Sequence, residues 1–489
     1  MHIKALISCH SAILLSFVVS GVAGAETPLV DAAMNGDARS VRSLLRQTVD
    51  VNVTQPDGMT ALHWAAHLDN VEIASLLLRA GADFRARNRT GIAPMYLATV
   101  NGSAAMIGTL LDAGDDANAV LAETLETVLM LTSKTGNADA VRLLLDRGAE
   151  VNATQARDFS ALMFAAAEGH ANVIELLIER GANAAATTIA STKPERRPAG
   201  GMTALLFAAR QGHMEAVREL LAGGADVDQS SADQTSPLLI AVLNGHYDMA
   251  YLLLENGADP SAADVNGRGA LYSAIDLRNV QWSQGPAPVL PQQEHLAMIR
   301  TLVEAGADLT TAISAKIGHR GSFDMRWTDF VGGTPFLRAA WNGDIEVMNF
   351  LLEHGADPHV VAEKGETALL LVTGAGWPLG QGHIRSDQEI MASLELFVEE
   401  FGMDVNAATT DGITALMCAV FKGTNDVIQY LVDHGAALDA KDNEGRTVLT
   451  WAAGIAANEG QPPRPQPTAE TLIRELLQQQ GITLALTTE

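Results

Sequence analysis

Histidines and acidic residues are numerous enough to suggest metal binding or acid–base chemistry, but their spacing does not support either. The chain has 13 histidines and 58 aspartates and glutamates. His63 and His67 have the i, i+4 spacing that places two imidazoles on one face of a helix. The residues between them, Trp64 to Ala66, include no glutamate that could act as a general base. Because no nucleophile motif or phosphate-binding loop is readable elsewhere, we predict no catalytic residue, no metal site and no cofactor.

The charge of the chain argues against nucleic acid as a partner. Its 489 residues include 32 Lys and Arg against 58 Asp and Glu, which gives a formal net charge of −26. A surface this acidic repels phosphate backbones. The 2 cysteines are too few to staple a chain of this length or to build a zinc module. Cys9 falls in the N-terminal segment, and we interpret Cys418 as a small core residue.

The N-terminal 25 residues have the pattern of a secretory signal peptide. A short basic start precedes an apolar run at residues 5–22, and residues 23–25 (Ala-Gly-Ala) are the small residues that a signal peptidase reads. We therefore expect the mature chain to begin at Glu26 and to be periplasmic or secreted. Lipoprotein-type cleavage at Cys9 and an uncleaved membrane anchor are the alternatives. The sequence shows no later stretch that is long and apolar enough to span a membrane.

One short pattern recurs along the rest of the chain. The segment 60–66 (TALHWAA) reappears at 203–209 (TALLFAA), 334–340 (TPFLRAA) and 414–420 (TALMCAV). Each copy precedes a second apolar run and then Gly-Ala-Asp or a close variant. A threonine can cap the start of one helix, and a left-handed glycine can end the next. The pattern predicts two helices per repeat, and such pairs must stack because one pair cannot bury its apolar face alone.

These residues closely resemble the ankyrin repeat, which has a period of about 33 residues and a T-P-L-H-x-A signature. The resemblance covers essentially all of residues 27–484. It implies an all-α repeat solenoid of about twelve helix-turn-helix units joined by β-hairpin loops. It also implies that His63 is a structural residue bonded to a hairpin, and that the protein recognises partners rather than catalysing a reaction. We interpret the chain as an exported ankyrin repeat protein of a bacterium.

The glycines that end the second helices show where the repeat is interrupted. Within a solenoid at 26–489, their spacing predicts regular repeats over 27–186 and 201–277 and insertion-bearing C-terminal repeats over 265–489. In repeats 8, 10 and 12 the extra residues fall between the two helices. Around 187–200 and 310–331 they fall in the hairpins. Insertions in a solenoid tend to lie on one face and often form its binding surface.

Aromatic residues concentrate near these insertions. Trp282, Trp327 and Trp377 lie within them, whereas Trp64 and Trp451 share one apolar position in the first helix and are interpreted as packing residues. In ankyrin proteins the position that follows the alanine pair of the first helix is variable and faces the concave groove. Aromatic residues exposed there commonly mark binding surfaces.

Two residues, Trp341 and Phe421, occupy that variable position, and we expect both to be exposed on the groove floor. The insertions should then line its rims. The other predicted partner-binding residues are basic: His319, Arg320, Arg326 and Arg385. The alternative for Trp282, Trp327 and Trp377 is that they only fix their own loops to the stack.

The sequence therefore predicts a monomeric, non-enzymatic protein that binds a protein or peptide partner in its concave groove, centred on repeats 8–11. One alternative is a small-molecule or enzymatic site built by the C-terminal insertions, which a retained ligand would reveal. Another is a scaffolding or self-assembly role, which the mass in solution would reveal.

Overall fold

In the computed structural model, the described residues are 27–47, 49–121, 125–190, 200–279, 290–315, 331–374, 386–454 and 465–483. They form twelve pairs of α-helices, here numbered α1 to α24, so that odd numbers are the first helices of the repeats. The predicted signal peptide and the predicted mature start at Glu26 lie outside the described residues. The chain divides into two compact units, Met1–Asn183 and Ala184–Glu489.

The first unit contains repeats 1 to 5. Its helices are α1 (Pro28–Met34), α2 (Ala38–Leu45), α3 (Ala61–His67), α4 (Val71–Arg79), α5 (Pro94–Val100), α6 (Ala104–Asp112), α7 (Val128–Thr135), α8 (Ala138–Asp146), α9 (Ala161–Glu168) and α10 (Ala171–Glu179). Each first helix packs against the first helix of the next repeat, and each second helix does the same. The unit therefore has two rows of stacked helices, as expected of repeats that contact only their neighbours.

The second unit contains repeats 6 to 12. Its helices are α11 (Ala204–Gln211), α12 (Met214–Ala222), α13 (Pro237–Leu243), α14 (Tyr247–Glu255), α15 (Ala270–Asn279), α16 (Gln292–Glu304), α17 (Pro335–Trp341), α18 (Ile345–Glu353), α19 (Ala368–Thr373), α20 (Asp387–Glu395), α21 (Ala415–Lys422), α22 (Asn425–Asp433), α23 (Val448–Ala452) and α24 (Pro467–Gln479). A π-helical turn, Leu396–Glu400, extends α20. All seven first helices again stack in chain order.

Local sequence sets the bounds of these helices. The hydroxyl of Thr60 accepts a hydrogen bond from the backbone N–H of His63 at the start of α3, and Thr203 and Thr334 do the same for α11 and α17. After the second helices the chain turns at left-handed glycines, such as Gly81 with a φ of 90°. The expected capping and termination signals are thus confirmed.

Alanine pairs and hairpins join one repeat to the next. Ala65 and Ala66 are fully buried between neighbouring first helices. In the hairpin that follows α8, the Asn152 amide donates to the carbonyl oxygen of Gly181 (2.9 Å) and accepts from the N–H of Asn183 (2.8 Å). The described residues contain only isolated β-bridges at such hairpins and no extended strand. The predicted all-α repeat solenoid is confirmed.

Three repeats have widely separated helices. Between α3 and α4 lie only residues 68–70, whereas α15 and α16 are separated by residues 280–291. The same interval holds residues 374–386 in repeat 10 and 453–466 in repeat 12. Most residues of these intervals, 280–289, 375–385 and 455–464, lie outside the described part of the chain.

Candidate functional site

Trp341, which was expected to be exposed on the groove floor, is buried. Only 6% of its surface is accessible, and the Arg338 guanidinium lies over its ring, 4.3 Å from the centroid. Arg338 precedes it by three residues on the same helical face and is itself buried, so the two side chains pack as one group. The expectation that Trp341 is exposed is therefore wrong. Its role in binding a partner is a separate question and stays a prediction.

Phe421, the other predicted floor residue, is half-buried. Its ring meets Trp451 edge-to-face, with centroids 5.8 Å apart. Phe421 belongs to α21 and Trp341 to α17, and α19 lies between these helices in the stack. The two aromatic residues therefore lie in the same row of helices, on helices that α19 separates.

The other predicted partner-binding residues fall on segments that the structure does not describe. These residues are Trp282, His319, Arg320, Arg326, Trp327, Trp377 and Arg385. Their predicted places on the rims of a groove stay predictions.

Arg338 links repeats 8 and 9 through an ion pair that the sequence analysis missed. It stands four residues after the capping Thr334, where Trp64 and Phe207 stand in other repeats. Its Nε donates to Oδ1 of Asp276 on α15 at 2.8 Å, and its Nη2 donates to the same oxygen. An arginine at a position that is aromatic in other repeats was the available signal.

A second guanidinium, that of Arg278, connects the end of α15 with the starts of α16 and α18. Its Nε donates to Oδ2 of Asp344 (2.8 Å) and its Nη2 to Oε2 of Glu346 (2.7 Å). Its Nη1 donates to the carbonyl oxygen of Gln292 at the start of α16 (2.7 Å). Asp344 is fully buried, caps α18 through the N–H of Val347, and also accepts from Asn279.

These contacts join repeats 8 and 9 through charged groups in addition to apolar packing, and Arg278, Arg338 and Asp344 are the buried ones. Burial removes the hydration of an ion, so each charge must be paired and hydrogen-bonded, and the pair fixes one relative position of its helices. We call Asp276, Arg278, Arg338, Asp344 and Glu346 the charged joint. It holds the ends of α15 and the starts of α16 and α18 in one arrangement.

An amine and a thiol, those of Lys422 and Cys418, lie one helical turn apart on the first helix of repeat 11. Lys422 is half-buried, and its side chain packs against Gly374, where an added Cβ atom would collide with it. Burial lowers the pKa of Lys422 to about 7 and raises the pKa of Cys418 to about 12. Cys418 is therefore a protonated core thiol at neutral pH, and the unreactive role expected for it agrees with its burial.

Three of the described histidines, His63, His170 and His246, serve as structural hydrogen-bonding groups. His63 is fully buried, with Nδ1 2.7 Å from the Thr60 hydroxyl and Nε2 2.9 Å from the carbonyl oxygen of Ile92 in the next hairpin. His170 and His246 each contact a backbone carbonyl oxygen at the end of the preceding first helix, through Nε2 at 3.0 and 3.2 Å. Among the described residues no group of three or more His, Cys, Asp or Glu could hold a metal ion.

No helix of the described ranges is both long enough and apolar enough to cross a bilayer.

Comparisons with protein families match most of the chain to one family. The model described as ankyrin repeats (3 copies) matches residues 29–120, 117–188, 189–264 and 386–458. The single ankyrin repeat model matches residues 331–363.

Three curated relatives share part of the chain. Alpha-latrocrustotoxin-Lt1a of Latrodectus tredecimguttatus is 25% identical over 219 residues, and palmitoyltransferase AKR1 of Lachancea kluyveri is 32% identical over 234 residues. These matches cover 45% and 46% of this chain. Human transient receptor potential cation channel subfamily A member 1 is 24% identical over 427 residues, or 86% of this chain. The matched regions span only 13%, 26% and 34% of the three relatives.

Two solved structures are similar over about half of the chain. The ankyrin repeat domain of human ASB11 is 25% identical, with a TM-score of 0.42, and covers 48% of this chain and 100% of its own. The ankyrin repeat domain of Bcl-3 is 26% identical, with a TM-score of 0.40, and covers 46% of this chain and 99% of its own.

Proposed function

Because the chain belongs to the ankyrin repeat family, we propose that it is an exported protein that binds a protein or peptide partner through the concave groove of its stacked first helices. Ankyrin repeats in general mediate protein–protein interaction. Export to the periplasm or the medium is inferred from the N-terminal 25 residues, and a monomeric state is part of the same proposal.

The observation that carries this proposal is a contrast between neighbouring positions on the first helices. The alanine pairs that pack one repeat on the next, such as Ala65-Ala66 and Ala339-Ala340, are fully buried. The residue that follows each pair differs, being His67 in α3, Arg210 in α11 and Trp341 in α17. A constant scaffold with a row of changing side chains suits recognition of one particular partner, because scaffold and specificity are then set by different residues.

We place the centre of binding on repeats 8–11, in the second unit. The charged joint supports this location, since it holds the helix ends of repeats 8 and 9 in one arrangement and preorganised surfaces lose less entropy on binding. The aromatic and basic residues of the adjoining intervals, including Trp327 and Trp377, would supply the contacts. The buried Trp341 would then support the binding surface without being exposed on it, since its ring lies under the Arg338 guanidinium.

The test begins by cross-linking the exported protein in its native compartment and identifying the captured partner. Affinity for that partner is then measured for Trp327→Ala, Trp377→Ala and Phe421→Ala. Truncation of central interface aromatics commonly costs about 2 kcal/mol or more, so each change should weaken binding at least about tenfold.

Ile189→Ala is the matched control, because Ile189 is an exposed apolar residue of the same unit that lies before repeat 6. It should leave the affinity unchanged. Equal loss from Ile189→Ala and the three aromatic variants, or no loss from any of them, would contradict a site at repeats 8–11. A metal or small molecule retained by the natively purified protein would favour the alternative of a ligand site.

A further inference from the structure

Exposed apolar side chains recur in the first unit, Met1–Asn183, at the ends of the first helices of repeats 1 to 3. Met34, Leu68 and Val100 are 39%, 46% and 48% exposed. They end or directly follow α1, α3 and α5. We call these three residues the N-terminal patch.

The three helix ends are adjacent to one another. α3 packs against α1 on one side and against α5 on the other. The Asn101 amide, next to Val100, donates to the carbonyl oxygens of Ala66 (3.1 Å) and His67 (2.9 Å) at the end of α3. Large apolar side chains that are exposed on neighbouring helix ends, rather than scattered singly, mark interaction surfaces.

An unusual aspartate stands beside the patch. The second residue after the first helix is left-handed in each of these repeats, and Gly36 and Gly102 have φ values of 69° and 63°. Repeat 2 has Asp69 there, with a φ of 54°. A side chain is disfavoured in this conformation, so glycine would be the more stable choice. Asp69 instead places an exposed carboxylate directly after Leu68.

The negative charge at the patch has no basic partner among the described residues. Asp31 lies one helical turn before Met34 and is exposed, as Asp69 is. The Asp31 carboxylate accepts hydrogen bonds only from neutral groups of Thr27 and Gln55. In residues 27–483, as far as the structure describes them, no lysine or arginine forms an ion pair with Asp31 or Asp69.

We propose that the N-terminal patch binds an amphipathic helix of a partner protein that carries lysines or arginines beside its apolar side chains. The apolar row fits the apolar face of such a helix, whose anchors recur at every third or fourth residue. The exposed carboxylates of Asp31 and Asp69 complement its basic residues. The formal charge of −26 attracts basic segments and repels acidic ones. This surface is independent of the site proposed at repeats 8–11.

The probe is a fluorescein-labelled helical peptide built only from leucine and lysine, and its counterpart has glutamate in place of lysine. Binding to the full mature chain is followed by fluorescence anisotropy at low and high salt. The lysine peptide should bind, more weakly as salt rises, because exposed charges are screened. The glutamate peptide should bind at least about tenfold more weakly.

Asp69→Gly separates binding from folding. It removes the carboxylate and installs the residue that repeats 1 and 3 have at Gly36 and Gly102, so the urea midpoint should stay the same or rise. The affinity for the lysine peptide should fall about three- to tenfold. Leu68→Gln should weaken it by a similar factor through the apolar row. Val361 is an apolar residue of the second unit whose exposure is similar to that of Leu68, and Val361→Gln should leave peptide binding unchanged.

Unchanged affinity in both Asp69→Gly and Leu68→Gln would overturn the proposal, and so would equal binding of the two peptides. A wild-type dimer that Leu68→Gln dissolves would also overturn it, because the patch would then bind a second copy of this chain. Phe421→Ala and Trp327→Ala should not change peptide binding. The experiments therefore distinguish failure of the proposed site at repeats 8–11 from failure of the proposal for the N-terminal patch.

Discussion

Arg278 and Gln292 hold each other across the interval between α15 and α16. The Arg278 guanidinium donates to the carbonyl oxygen of Gln292 at 2.7 Å, and the Gln292 side-chain amide donates to the carbonyl oxygen of Arg278 at 2.8 Å. This reciprocal pair fixes the end of one helix against the start of the other. The same guanidinium reaches Asp344 in the next repeat, so the two ends of the longer interval in repeat 8 are tied directly to repeat 9.

Removing the Arg278 charge should destabilise the second unit strongly. Arg278→Met keeps much of the side-chain volume but leaves the Asp344 carboxylate buried without its guanidinium partner. Breaking a buried ion pair in this way costs about 3–5 kcal/mol. The measurement is the free energy of unfolding in urea.

The control is Arg474→Met, because Arg474 pairs with Glu470 on the surface and its side chain is 48% exposed. Exposed pairs contribute about 0–1 kcal/mol, so this variant should unfold nearly as the wild type does. Similar losses in the two variants would show that the charged joint is no more important than a surface ion pair.

Trp341→Ala should lower the free energy of unfolding, as truncation of a buried side chain does. The ring is buried and lies under a buried guanidinium, so its removal creates a cavity and takes away the support of Arg338. Truncation of a buried tryptophan costs about 3–5 kcal/mol. Urea unfolding checks this, with Phe421→Ala as the comparison that should lose less because Phe421 is only half-buried. A loss below about 1 kcal/mol for Trp341→Ala would contradict its burial in solution.

The sequence was sufficient to predict the repeat and its packing residues. Thr60 predicts a helix start, Gly81 predicts a helix end, and Ala65-Ala66 predicts close packing, because each acts through local geometry that every repeat shares. Trp451 is nearly fully buried, and its indole N–H donates to Asp442 in the preceding hairpin (3.0 Å), as suits the packing role predicted for it.

The error at Trp341 has a physical cause that the repeat pattern does not contain. The pattern gives the position of a residue on its helix, but exposure depends on what the neighbouring repeats place beside it. Arg338 stands where repeats 2 and 6 have Trp64 and Phe207, pairs with Asp276 of the preceding repeat, and brings its guanidinium over Trp341. Such pairs join positions that are 62 or 66 residues apart, and spacing within one repeat cannot reveal them.

Export can be tested at the N-terminus itself. The mature protein should begin at Glu26, because the small residues of a signal-peptidase site end at Ala25, directly before the first repeat. N-terminal sequencing of protein from the periplasm or medium checks this. Ala23→Leu together with Ala25→Leu should block cleavage and leave the longer precursor. Recovery of the wild-type chain from the cytosol with Met1 intact would contradict export.

The pair of His295 and Tyr247 predicts how stability depends on pH. His295 is buried on α16, and its Nδ1 lies 2.5 Å from the hydroxyl of Tyr247 on α14. Burial, together with the positive charge of Arg278, lowers the pKa of His295 to about 4 from a usual value of 6.5. Burial also raises the pKa of Tyr247, so its hydroxyl is un-ionised at neutral pH.

In the folded protein His295 therefore binds its proton only at a lower pH than in the unfolded chain. The unfolded chain binds more protons between the two pKa values, so stability is complete above about pH 6.5 and falls as the pH falls towards 4. One pKa unit corresponds to about 1.4 kcal/mol, so this residue contributes a loss of up to about 3 kcal/mol.

Urea unfolding at a series of pH values measures this contribution directly. His295→Gln retains hydrogen-bonding capacity but cannot titrate, so its stability should change less with pH between 6.5 and 4 than that of the wild type. His359→Gln is a control, since His359 lies in a hairpin and its backbone N–H, not its ring, contacts Asp357. If His295→Gln and the wild type lose stability in parallel as the pH falls, His295 is not the group that makes the second unit sensitive to acid.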